Sequence, residues 1–278
     1  MKISTGKVFL SVFAAIAIMV IAQLAADMLP VALGLPPALG YVLAGVVYTL
    51  LGFFLLKLYT NKVLKLELSE LRISALKLKP LWVVISVLLP LGVTAVFLLL
   101  PGQWSRGEEA DAASVITSAV FLIGISAGVV EETLFRGLLM TVLQKRWNTA
   151  VAVIAPSVVF ALLHVLNGPI DVVSFLMLLL AGTTVGVMFS MITLATGSVW
   201  NGALVHAVWN AVIIGGVLRV GTVSDEASIF NYTILSDSLL LTGGDFGIEA
   251  SVISIAGYLA VICLAAARLR GNGGGEPI

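Results

Sequence analysis

Charge is what this 278-residue chain has least of: 11% of its residues are Asp, Glu, Lys or Arg, against 60% apolar, with a mean hydropathy of +1.13. A soluble domain carries about 25% charged residues, so this chain cannot clothe a water-facing surface. A formal net charge of zero removes the basic excess that nucleic-acid binding needs. The single cysteine, Cys263, excludes an internal disulfide and a multi-cysteine metal site. Only two histidines are present, and long linkers, strong internal repeats and a soluble domain are all missing.

What is there is a series of apolar runs of the length a bilayer demands, about 20 residues each. Eight spans can be read: Val8–Met28, Ala38–Leu56, Leu81–Leu100, Ala113–Leu143, Thr149–Leu166, Ser174–Thr196, Val199–Leu218 and Ile248–Ala267. They predict an all-α polytopic membrane protein, a bundle of about eight transmembrane helices. The fourth run is too long for one perpendicular span, so it tilts or extends beyond the hydrocarbon.

The few charges sort by side. With both termini cytoplasmic, the inner segments hold Lys2, Lys7, Lys57, Lys62, Lys65, Arg72, Lys77, Lys79, Lys145, Arg146, Arg268 and Arg270, and the outer ones only Arg106 and Arg219. Positive residues stay inside, so the expected location is the cytoplasmic membrane with an even number of spans. The first run exceeds the apolar core of a cleaved signal peptide, which favours an uncleaved anchor. Residues 62–79 read either as a basic amphipathic helix on the inner leaflet or as an ordinary loop. Gly182 and Gly186 form a GxxxG whose simplest role is close helix packing. The 219–247 loop carries no readable pattern, and the glycine-rich tail after Arg270 is expected to be disordered.

Ionisable groups in a bilayer cost at least ~2.5–3.5 kcal/mol each on insertion scales and are usually functional. Here they concentrate in three runs: Glu131-Glu132-Thr133-Leu134-Phe135-Arg136 in the fourth span, Phe160-Ala161-Leu162-Leu163-His164 ending the fifth, and His206-Ala207-Val208-Trp209-Asn210 in the seventh. Glu132 and Arg136 stand at i and i+4 and can pair on one face. Glu131, about 100° further round, is freer to face a cavity. At 1.5 Å per residue, Glu131, His164 and Asn210 lie roughly 21, 22 and 16 Å from the cytoplasmic helix ends. Three helices can therefore bring them to similar depth.

A carboxylate and an imidazole can share and activate a water, while a second imidazole and an amide donate to a developing oxyanion. Amide hydrolysis is the chemistry this set suits. Glu131, His164 and His206 with an open position also resemble a catalytic zinc set, although neither HExxH nor a cysteine set is present. Zinc and metal-free water activation both stay open at this stage.

The runs EETLFR, FALLH and HAVWN, in that order on separate helices, resemble the EExxxR, FxxxH and HxxxN/D motifs of the CPBP family. That family includes type II CAAX prenyl endopeptidases and bacterial Abi proteins. The resemblance implies an eight-helix intramembrane endopeptidase, a hydrolase of glutamate or metallo type acting on a membrane-associated peptide or protein. It implies Glu131 as general base assisted by His164, His206 and Asn210 as the oxyanion site, and Glu132, Arg136 and Phe160 as supporting residues. The expected division is helices 1–3 with their loop over 1–112, a catalytic core over 113–218, and the outer loop, last helix and tail over 219–278. A non-catalytic immunity or regulatory scaffold and a proton-coupled transporter are the alternatives. Substrate, oligomeric state and pathway leave no trace in the sequence.

Overall fold

Each apolar run closes its own backbone hydrogen bonds, the condition for a lone segment to cross hydrocarbon, and the punctuation between runs decides where each helix starts and stops. The computed structural model describes residues 3–165 and 171–271; Lys2, the last residue of the expected fifth span, Leu166, and the tail after Gly271 lie outside them. The helices are α1 Thr5–Ala32, α2 Pro37–Leu64, α3 Pro80–Leu98, α4 Ala112–Arg146, α5 Thr149–His164, α6 Val172–Thr196, α7 Trp200–Ile214 and α8 Val252–Gly271. Among the described residues six are long and apolar enough to cross a membrane, while α5 and α7 are shorter. The chain is an integral, polytopic all-α membrane protein, and exposed side chains such as Phe9, Phe13, Leu50 and Phe54 cover its flanks.

Proline at the first helical position opens α2 and α3. Side-chain caps open four others: Ser4 on Lys7 N–H, Asp111 on Ser114 N–H, Asn148 on Val151 N–H and Asp171 on Val173 and Ser174 N–H. Lys65 (φ 59°) and Gly197 (φ 71°) enter the left-handed region and stop α2 and α6. The long fourth helix is continuous but uneven. Its turns widen to i→i+5 bonding over Ser118–Ser126 and Thr133–Leu139, leaving an ordinary α segment, Ala127–Glu132, between them. Such widened turns re-aim side chains and collect at functional sites.

Small residues set the distances between the central helices. A Cβ on Gly128 would stand 2.8 Å from the Ala203 carbonyl oxygen and 2.9 Å from the Ala207 nitrogen, so α4 and α7 are in backbone contact. Cβ atoms on Gly182 and Gly186 would meet the Ala161 and Ser157 Cβ atoms at 2.8 and 2.6 Å. The GxxxG of α6 therefore packs on α5.

Three expectations need correction, and the choice left open for residues 62–79 falls to the loop. Residues 62–79 form no amphipathic helix: Lys65 and Arg72 (φ 59° each) break the path, and within the segment helical structure is confined to the end of α2 and a tight turn at Leu68–Leu71. Leu66, Leu71 and Ile73 are buried instead, so the segment packs into the bundle. The seventh span stops at Ile214, before Gly215 and Gly216, and Leu218 begins a strand. The eighth starts at Val252, because Ile248–Ala250 is a tight turn. Finally, the supposedly patternless 219–247 region folds. Strands β1 Gly102–Arg106, β2 Leu218–Gly221 and β3 Phe230–Ile234 make a sheet in the order β1-β3-β2, with β1 antiparallel and β2 parallel to β3.

Candidate active site

The ordinary α segment between the widened turns of α4 ends in Glu131 and Glu132, which face different surroundings. Glu132 is fully buried. Its Oε1 accepts from Arg136 Nη1 at 2.8 Å, and the fully buried Arg136 also donates through Nη2 to the Gly186 carbonyl at 3.0 Å. The guanidinium lies over the rings of Phe160, Phe189 and Phe135 at 4.9, 5.2 and 5.8 Å. One cation thus joins α4, α5 and α6 through charge, backbone and aromatic contacts. A buried pair stabilises only when its remaining groups are satisfied; among the described residues Glu132 Oε2 and Arg136 Nε have no hydrogen-bond partner, but Glu132 Oε1 gains another one.

That partner is His206, whose Nδ1 lies 3.0 Å from Glu132 Oε1 and therefore donates to it. Its ring is stacked on Phe189 at 4.6 Å between centroids. These contacts fix the imidazole and turn Nε2 toward Glu131, 3.8 Å from Oε2. His164 approaches from the end of α5. Its Nδ1 donates to the Phe160 carbonyl at 2.8 Å, and its ring packs 4.6 Å from that of Phe160, leaving Nε2 without a hydrogen-bond partner among the described residues. Asn210 donates one amide hydrogen to the Ile123 carbonyl at 3.1 Å, which sets the orientation of the amide; among the described residues its second N–H has no acceptor.

Glu131, Phe160, His164, His206 and Asn210 line one cavity. It offers about 70 Å³ to the centres of water molecules, several times the roughly 10–15 Å³ that one water requires. The predicted residues therefore meet, and they divide into a dry group (Glu132, Arg136) and a wet group (Glu131, His164, Asn210), with His206 bridging them.

The zinc expectation fits less well. Among the described residues no group of three His, Cys, Asp or Glu side chains is arranged to hold a metal ion. Each imidazole donates through Nδ1 to a protein acceptor, which leaves Nε2 as the ligating nitrogen, as in metal-bound histidines. The ligand grouping and not the ring nitrogens therefore weighs against zinc.

Sequence reasoning missed Glu249. It lies in the turn Ile248–Ala250, just before α8, and lines the same cavity beside Trp209, Phe246 and Tyr258. Burial pushes its carboxyl above the ordinary range, while His164, the Trp209 side chain and His206 act in the opposite direction. Tyr258 Oη fixes the turn by donating to the Glu249 carbonyl at 3.2 Å. A signal existed: Glu249 is an acid inside the eighth apolar run as drawn, the very feature that marked the other three spans.

Searches of curated proteins and of solved structures found no match. Residues 113–212 match the family model described as Type II CAAX prenyl endopeptidase Rce1-like. The matched stretch covers α4 through most of α7, hence Glu131, Glu132, Arg136, Phe160, His164, His206 and Asn210 together. Through this core, about a third of its length, the chain is similar to the Rce1-like type II CAAX prenyl endopeptidases, which are membrane proteases.

Proposed function

We propose that this protein is an intramembrane endopeptidase of the glutamate type, hydrolysing a peptide bond of a membrane-associated peptide or protein. The observation that carries the reading is the meeting of Glu131, His164, His206 and Asn210 around one cavity large enough for water. Glu131 takes a proton from the water, and His164 Nε2 orients it. The resulting hydroxide attacks the scissile carbonyl. The oxyanion accepts from His206 Nε2–H and from the amide of Asn210. As the tetrahedral intermediate collapses, the C–N bond breaks and Glu131 returns its proton to the leaving amine. No metal enters these steps.

Glu132 and Arg136 act through position, since both are sealed from the cavity by the rings around them. Phe160 supports His164 on one side and Arg136 on the other. The family description includes CAAX-type prenylated proteins among candidate substrates. The surplus of Lys and Arg at one end of the bundle supports a cytoplasmic-membrane protein with that end in the cytoplasm.

The test is quantitative proteomics of membranes from cells carrying wild-type or Glu131→Gln protein, reading new C-termini. Peptide ends that vanish in the variant, at equal protein abundance, support the proposal. Identical end profiles refute it. Activity of purified enzyme that survives chelation would support the metal-free mechanism, and loss restored by zinc would overturn it.

A further inference from the structure

The bundle has two unlike ends, and the hydrogen bonds say which segments belong to each. At one end Arg146 donates to Thr5 Oγ1 (3.0 Å), Lys145 pairs with Glu70 (3.0 Å), and Arg72 reaches Thr141 (2.9 Å) and Gln144. At this end, too, the 65–79 loop is tied to the start of α7: Val199 N–H donates to the Arg72 carbonyl (3.2 Å), the Trp200 indole to the Ser74 carbonyl (2.6 Å), and Lys79 N–H to Asn201 Oδ1 (2.8 Å). Leu66, Leu71, Ile73, Leu138, Leu139 and Val142 fill the space beneath the site. This floor is stitched and dry.

The other end carries the sheet, the Asp171–Asp245 contact and the Glu108–Glu226 contact. There the catalytic cavity continues. Ile214, Phe246 and Glu249 line both it and a second, more polar cavity that runs on to Arg219, Gly216 and Ser228. The segment above the site turns on Gly243, Gly244 and Gly247 (φ 84°, 63° and 95°). Phe246, on this segment, places its ring 6.2 Å from that of His164.

The charges orient the molecule. Lys7, Lys57, Lys62, Lys65, Arg72, Lys77, Lys79, Lys145, Arg146, Arg268 and Arg270 belong to the floor end, whereas Arg106 and Arg219 are the cations of the sheet end. Glu108, Glu109, Asp111, Asp171, Asp225, Glu226, Asp237 and Asp245 also lie at the sheet end. Short loops rich in Lys and Arg stay in the cytoplasm.

We infer that the catalytic cavity opens away from the cytoplasm, and that its substrates are translocated, membrane-attached peptides presented from the non-cytoplasmic leaflet. A prenylated protein made in the cytoplasm offers its C-terminus to the opposite face, where the stitched floor blocks it. The inference rests on the protease reading for the word substrate, but the direction of opening can be measured without any cleavage.

The test uses single-cysteine full-length proteins in a Cys263→Ser background, in right-side-out and inside-out membrane vesicles. The probe is a small, membrane-impermeant, sulfonate-bearing methanethiosulfonate. Ser224→Cys marks the sheet end, Ser69→Cys the floor end and Ile214→Cys the cavity. The expected result is modification of Ser224→Cys and Ile214→Cys in right-side-out vesicles, and of Ser69→Cys only in inside-out ones. Rates for Ile214→Cys should differ at least tenfold between the two preparations. Modification of Ile214→Cys from the cytoplasmic side, or from neither side, overturns the inference. Identical C-termini in wild-type and Glu131→Gln membranes would refute the protease reading instead and leave the labelling result untouched.

Discussion

The floor and the roof of this site are built from opposite materials. Below the catalytic residues, large aliphatic side chains and several loop-to-helix hydrogen bonds leave no space. Above them, glycines with positive φ, one aromatic ring and one buried carboxylate cover the cavity. Between lies a layer in which a buried Arg–Glu–His chain holds three helices. The comparison separates stability from access: what fixes the imidazole is dry and below, and what admits water is loose and above.

The largest effect is expected from breaking the dry layer itself. Arg136→Met leaves Glu132 charged and enclosed, a loss of about 3–5 kcal/mol by analogy with broken buried pairs. Thermal unfolding in detergent reads it, and an unfolding temperature equal to that of wild type would show that the pair is idle. Next is Gly186→Ala, which drives a methyl within 2.6 Å of the Ser157 Cβ and disturbs the carbonyl that receives Arg136. Overpacking of this kind costs about 1–3 kcal/mol, and cleavage should fall with it. At the floor, Trp200→Phe removes the indole donor to Ser74 and should cost about 1 kcal/mol, with cleavage unchanged.

The roof responds to pH rather than to packing. Because burial raises the Glu249 carboxyl above its unfolded value, the folded state holds that proton more tightly. Its contribution to stability is present in acid and is lost as pH rises through the raised pKa. Glu249→Gln should therefore flatten the fall of unfolding temperature as pH rises above about 4.5. An unchanged slope would place the titrating group elsewhere.

The dry and wet groups were legible in the sequence because charge inside an apolar run is hard to conceal: Glu131, Glu132, Arg136, His164 and His206 stand out against Leu, Val and Ala. The i, i+4 spacing even separated Glu132 from Glu131, and the structure places them so. Less could be read where the signal is nonlocal. β1 and β3 are more than 100 residues apart in the chain, and no period within GQWSR or FNYTI announces their pairing. The 65–79 loop stayed open for a different reason: its leucines repeat like a helix face, yet two left-handed residues at Lys65 and Arg72 turn them into the bundle. Glu249 stands second in the eighth run, so its charge was legible, but its place beside His164 and His206 is nonlocal.

The adjacent glutamates offer the most direct test of how this site works. Purified Glu131→Gln and Glu132→Gln proteins, in nanodiscs, can be compared by thermal unfolding and by cleavage of a substrate identified from the new C-termini. Glu131→Gln should unfold like wild type while its cleavage rate falls about 100-fold or more, the scale of a lost general base, and Glu132→Gln should unfold several degrees earlier. A Glu131→Gln protein that cleaves at the wild-type rate would contradict the mechanism at its centre.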